Sequence, residues 1–179
     1  MFAPKSFSFF VISICLSLIF LISPTTSFSH SKKDHGHKHN HGAHVHGEGN
    51  VNIVFEGNKL NLEWTMPGDT VVGFEHEPRN DRQTKRLEEA KEKLQDFNNL
   101  VNIVDGKCSL KNNTLEIDYE GGHSEFKLSS QLECEGTISA FQFEIFKNFN
   151  RLKKLRVIYV SPTANRSEDL TSRRSELKL

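Results

Sequence analysis

Cysteine and methionine are scarce in this 179-residue chain, with three Cys and two Met. No two cysteines stand in CxxC spacing, which excludes a zinc ribbon and a thioredoxin-type redox pair. Beyond Met1 the only methionine is Met66, so a thioether site for copper(I) lacks its ligands. Neither sign of charge is in excess, with 23 Lys plus Arg against 23 Asp plus Glu. The composition therefore carries no electrostatic footprint for nucleic acid or for an anionic membrane. No Ser or Cys lies in a nucleophile elbow, and no glycine-rich phosphate loop occurs. His76-Glu77 opens like a zinc-protease helix, but Pro78 follows and position 80 is Asn, so the second histidine of the helical pair is missing. The usual signatures of catalysis are absent.

Histidine is plentiful, and it is concentrated. Seven of the nine lie between His30 and His46. Imidazole is the commonest protein ligand for zinc, copper and nickel. In an extended chain residues two apart point the same way, so His35, His37, His39 and His41 line one side, as do His44 and His46. Gly36 and Gly42 let the chain fold back and bring distant rings onto one ion. The competing reading is a polar linker that happens to be rich in His, or a tag; a tag would be uniform rather than interleaved with Gly, Lys, Asn and Ala. The metal expected is Zn²⁺, with Ni²⁺ and Cu²⁺ left open because imidazole alone does not choose between them. Protons compete for the same nitrogens, so binding is expected to weaken between about pH 7 and pH 5.5. His76 and His123 stand outside this run, each weighed as a ligand against an ordinary hydrogen-bonding histidine. Glu75 and Glu77 flank His76 and can orient a ligating ring or ligate themselves. A metal-dependent hydrolase is the minor alternative, with only Asp34, Glu48, Glu75 and Glu77 as carboxylates near a histidine.

The N-terminus reads as a secretory leader. Lys5 precedes an uncharged apolar run from Phe7 to Ile22, followed by small residues up to Ser29. Residues 1–29 are thus expected to be a signal peptide, 30–46 a His-rich arm and 47–179 a single domain. Removal of the leader leaves about 150 residues, enough for one core, and no membrane insertion afterwards. It also leaves Cys108 and Cys134 in an oxidising compartment, where a disulfide is expected.

The periodicities predict an α+β fold: a mainly antiparallel sheet with one principal helix. Val51, Ile53 and Phe55 alternate up to a Gly57-Asn58 turn, and Leu60, Leu62 and Trp64 alternate back, which pairs Phe55 with Leu60 and Val51 with Trp64. Continued backwards, that pattern puts Val45 on the core face, and His44 and His46 on the open one. Asn80, with Gln83 three residues on, caps a helix whose apolar stripe is Leu87, Ala90, Leu94, Phe97 and Val101. Phe141, Phe143 and Ile145 read as a strand, and Phe146, Phe149 and Leu152 as a short helical turn. Leu155 to Val160 reads as a central strand apolar on both faces. The tail allows at most a short edge strand.

Cys108 to Tyr119 and His123 to Cys134 form a long hairpin across Gly121-Gly122 if one bulge intervenes. Placed at Asn112-Asn113, both opposite Ser130, it sets Leu110 opposite Leu132 and Cys108 opposite Cys134 on the core face. The rival reading makes Asn112-Asn113 a turn of its own and carries the cysteines apart.

Three motifs in order carry a family resemblance over nearly the whole mature chain. His41-Gly42-Ala43-His44-Val45-His46-Gly47-Glu48-Gly49 leads into an alternating strand. Gly73-Phe74-Glu75-His76-Glu77-Pro78 precedes a charged helix. Cys108-Ser109-Leu110, His123-Ser124-Glu125-Phe126 and Leu132-Glu133-Cys134 complete the set. Together they resemble the ZrgA-type periplasmic zinc-uptake proteins of Gram-negative bacteria. The resemblance implies a non-catalytic zinc-binding accessory protein in the periplasm, working with an ABC-type inner-membrane importer. The chain departs from that pattern at Glu120-Gly121-Gly122-His123, where many members carry a second His-rich insertion.

Overall fold

In the computed structural model, which describes residues 45–179, the expected hairpin forms first. Strands β1 (Glu48–Glu56) and β2 (Lys59–Pro67) pair antiparallel, with Val51 opposite Trp64, Ile53 opposite Leu62 and Phe55 opposite Leu60. Alternation dictates the burial: Val51, Ile53, Leu60, Leu62, Trp64 and Met66 all face the core. At the other end the expected continuation fails. Gly47 takes φ +81°, and the Glu48 amide donates to the Val45 carbonyl at 3.1 Å, so the chain turns before the strand begins. Parity is lost there, and Val45 is 56 % exposed rather than on the core face.

A single helical turn, α1 (Gly68–Val71), follows β2 and leads to helix α2 (Asp81–Gln95). The Asn80 side chain accepts from the Gln83 amide at 3.0 Å, and Gln83 Oε1 reaches back to the Arg79 amide at 2.7 Å. The two side chains thus bond reciprocally to backbone amides at the start of the helix, in a one-residue variant of the capping box. Leu87, Ala90 and Leu94 bury the apolar stripe, each Leu contributing about 1.5–3 kcal/mol. The stripe stops short of the expected Phe97 and Val101. The Asp96 side chain accepts from the Asn98 amide and starts a separate 3₁₀ turn (Phe97–Asn99), which ends the α-helix.

Strands β3 (Asn102–Val104), β4 (Lys107–Glu120) and β5 (His123–Glu135) come next. The long hairpin of β4 and β5 sets Cys108 opposite Cys134, Leu110 opposite Leu132 and Ile117 opposite Phe126. Its bulge lies one step earlier than expected: Lys111 is the extra residue, and Asn112 pairs with Gln131. Asn113 holds the ladder regular at that point, donating to the Gln95 carbonyl at 2.8 Å and accepting from Ser130 Oγ at 2.7 Å. Leu110 faces its partner but remains 43 % exposed, at the outer edge of the sheet.

The remainder departs further from the sequence pattern. Strand β6 is only Ala140–Gln142; Phe143 donates its amide to Ser175, and Ile145 opens the short helix α3 (Ile145–Asn148) instead of extending the strand. Strand β7 (Lys154–Val160) pairs with β1 in parallel, and lies second from the edge rather than centrally. Only one of its faces is buried, and Ile158 and Val160 are exposed on the other. The tail supplies two strands rather than one, β8 (Asn165–Leu170) and β9 (Glu176–Lys178). The architecture is a six-stranded mixed sheet, β4-β5-β2-β1-β7-β8, and a three-stranded sheet, β3-β6-β9. The fold is thus sheet-dominated α+β, as expected, with α2 the principal helix. Trp64 and Phe143 meet edge to face at 5.9 Å within the core. Among the described residues no helix is long and apolar enough to cross a membrane.

Candidate metal centre

Three separate segments bring metal-ligating side chains together at one end of the sheet. The first is the residue pair before β1. Gly47 is clamped there: its amide donates to Thr70 Oγ1 at 2.9 Å, and its carbonyl accepts from the Lys153 and Lys154 amides at 2.7 and 3.1 Å. His46 is therefore carried on a fixed backbone between α1 and the start of β7. The second segment is the loop after α1. Gly73 takes φ +82°, its amide donating to the Gly68 and Asp69 carbonyls. That reversal turns the chain so that Phe74 is buried and Glu75 sits just beyond it. The third is the start of β5, where the Gly121-Gly122 turn delivers His123.

Glu75 is the floor of the arrangement and the imidazoles are its rim. The Glu75 side chain is 15 % exposed, against 64 % for His46 and 61 % for His123. Glu75 Oε1 lies 3.3 Å from His46 Nε2, and Glu75 Oε2 pairs with His123 Nδ1. Glu75 Oε1 is also fully buried and, among the described residues, accepts no hydrogen bond. A buried carboxylate oxygen in that condition is costly, and the group that faces it at ion-pair distance is the His46 ring. On its other side His46 Nδ1 lies 3.7 Å from Asp69 Oδ2, while Asp69 Oδ1 is 3.7 Å from Arg151 Nη1. Both contacts are at ion-pair rather than hydrogen-bond distance, so Asp69 adds negative charge behind the ring without fixing its tautomer.

The donor set suits a borderline ion. Two imidazole nitrogens and a carboxylate oxygen are a common three-ligand zinc set, with a further position left open. In this geometry the rings contact the carboxylate itself, and among the described residues no three such side chains stand in metal-holding arrangement.

Of the residues singled out from sequence, His46 and His123 are therefore brought together, across 77 positions of chain, by a carboxylate that was weighed beside His76. His76 makes other contacts: its ring stacks on Phe74 at 5.4 Å, and Nδ1 lies 2.7 Å from the Glu77 carbonyl oxygen. His35, His37, His39, His41 and His44 lie outside the described residues, as does the leader. Asp69, Thr70 and Arg151 were missed. Nothing in a linear pattern marks them, although Asp69 in a Pro-Gly-Asp break is a residue that ordinarily serves only a turn. Cys108 and Cys134 do form the expected disulfide, with Cα atoms 4.0 Å apart. Cys134 donates its amide to Asn58, away from β4, so the two are a non-hydrogen-bonded pair, the closer of the two antiparallel spacings.

A family model described as ZrgA family zinc uptake protein matches residues 43–179. The match includes His44, His46, Glu75, His76 and His123 and leaves His35 to His41 outside it. No curated protein matches the chain.

Proposed function

The chain belongs to the ZrgA family of zinc uptake proteins, and from that premise we propose that it is a non-catalytic periplasmic protein that captures Zn²⁺ for an ABC-type inner-membrane importer. The His30–His46 arm collects the ion through exchangeable imidazoles. A site built on His46, Glu75 and His123 then holds it, with His44 as the natural fourth ligand and His76 as a neighbouring reserve. What carries this reading is the Glu75 carboxylate, buried, half unsatisfied and faced by two imidazoles. Asp69 adds a second negative charge behind His46. The division of labour follows from anchoring. Gly47 is clamped on both sides, so ligands from His46 onward are pre-organised, and pre-organised ligands lose less entropy on binding than those of a chain still to be ordered.

Isothermal titration with Zn²⁺ tests both halves. The mature chain is expected to bind more than one equivalent, deletion of residues 30–41 to remove the weaker ones, and His46→Ala with His123→Ala to remove the tightest. Full stoichiometry after the deletion would take the arm out of the mechanism. Unchanged tight binding in the double variant would reject the composite site.

A further inference from the structure

Beside His46 a cleft of about 910 Å³ opens between α2 and the segment from α3 to β7. Its walls carry five cations, Arg86, Lys93, Lys147, Arg151 and Lys153, against two carboxylates, Asp69 and Glu89. The chain as a whole is charge-balanced, so this surplus is a local feature. Part of it is spoken for: Arg151 faces Asp69, Lys147 pairs with Glu144, and Arg86 donates to the Val72 carbonyl at 3.3 Å. Lys93 and Lys153 have no carboxylate partner among the described residues, and the Lys153 ammonium donates to the Asn150 carbonyl.

A surface shaped only to attract a divalent cation would carry the opposite sign. Cations next to His46 repel the approaching ion and favour its departure; what they attract is an anion. The volume exceeds what a single small anion fills and falls within the range of ligand-sized clefts.

We propose that this cleft docks an acidic segment of a partner protein, whose Asp or Glu side chains pair with Lys93 and Lys153 and come within reach of the ion held at His46. The purpose assigned to it, zinc hand-over, rests on the capture reading above; the docking does not. Carboxylates brought there supply oxygen ligands just where His46 must be given up, so docking and release are the same event. Electrostatic complementarity of this kind sets association rate and partner choice more than final affinity.

The test uses the mature chain and a short fluorescein-labelled peptide of alternating Glu and Ser, followed by anisotropy, with the Gln counterpart as control. The Glu peptide is expected to bind, to weaken steeply with added salt, and to lose about tenfold or more in affinity with Lys93→Glu and Lys153→Glu combined, a loss of about 1.4 kcal/mol. Zinc titration of that double variant, whose arm and site side chains are intact, is expected to keep the stoichiometry of the unmodified chain and, with two local cations reversed, to bind at least as tightly. Equal binding of the Gln peptide, or unchanged binding by the double variant, would overturn the proposal. So would capture by phosphatidylglycerol vesicles without binding of the peptide, which points to a membrane surface instead. A chain that binds the Glu peptide through these lysines but takes up no zinc would overturn the capture reading and leave the docking surface standing.

Discussion

Gly68 lies directly against Ser124: a Cβ at Gly68 would fall 1.9 Å from Ser124 Oγ and 2.7 Å from the Phe74 carbonyl oxygen. This contact ties α1, from which the Glu75 loop departs, to the start of β5, because Gly68 begins the turn carrying Asp69 and Ser124 adjoins His123. Gly68→Ala is expected to cost about 1–3 kcal/mol by overpacking and to weaken zinc binding as the Glu75 loop moves off β5. Ser124 Oγ is buried without a hydrogen-bond partner among the described residues, so Ser124→Ala alone should cost little. Combined with Gly68→Ala it should recover part of the loss, since the backbone clash with Phe74 and a tight 3.1 Å contact with the Cβ of residue 124 remain. Denaturant unfolding of the two single variants and the double variant measures that coupling. Strict additivity would mean that the contact does not limit the approach.

The disulfide is expected to stabilise the sheet without governing the ion. Cys108 and Cys134 are 26 positions apart, and closing a loop of that size lowers unfolded-chain entropy by an amount worth about 3 kcal/mol. Replacing both by Ser should therefore lower Tm by roughly 10 °C, while zinc stoichiometry stays the same. Calorimetric unfolding beside a zinc titration checks the pair of outcomes. A large loss of zinc in a variant that remains folded would contradict the separation of roles.

Legibility followed the range of the interaction. The β1–β2 hairpin was readable residue by residue because its turn, its alternation and both faces lie within one short stretch. The β4–β5 register was readable because the cysteines had to meet, yet its bulge was misplaced by one. The choice of Lys111 over Asn112 depends on Asn113 bonding to Gln95, a contact made by the end of α2. Strands β3, β6 and β9 have three residues each, too few for a period of two to show. That β7 pairs in parallel with β1 is a long-range choice, and the apolar residues on its second face misdirected the reading, since exposed Val and Ile are ordinary on a sheet surface. In the site, the histidines announced themselves by type. Glu75 was weighed for the wrong neighbour, and Asp69 was invisible, because its role exists only once the Gly47 turn has brought His46 over α1.

Across β7 and β8, Arg156 Nε donates to Asp169 Oδ1 at 2.9 Å. That hydrogen bond holds the Asp169 carboxyl below its usual range, helped by the charges of Arg156, Lys154 and Arg174. A depressed folded value gives stability that is present above the ordinary carboxylate range, near 4, and is lost as pH falls through the lower folded value. Both side chains are open to solvent, so the effect is expected to be small. Asp169→Asn should lower the denaturation midpoint slightly at neutral pH and leave it unchanged in strong acid, below both values. An equal difference at both pH values would assign the cost to packing instead of charge.

Glu75 and Glu77 make the sharpest comparison, because they flank His76 alike and are equivalent by sequence alone. Glu75 is largely buried between His46 and His123, whereas Glu77 is exposed and offers His76 only its backbone carbonyl. Glu75→Gln keeps the shape and removes the negative charge, leaving a neutral amide where a cation would be held. To keep the arm from masking the effect, both substitutions belong in a mature chain whose His35, His37, His39 and His41 are changed to Asn. In competition with a zinc chromophore, Glu75→Gln is expected to weaken the remaining site by at least about tenfold. Glu77→Gln should leave it unchanged. Glu77→Gln should leave folding unchanged, whereas Glu75→Gln is expected to cost a modest amount of stability, because it takes the charge from the pairs with His46 and His123. Equal losses for the two variants would mean that zinc is drawn by the general charge of the loop. No loss for Glu75→Gln would take the carboxylate out of the site and leave the histidines to hold the ion alone.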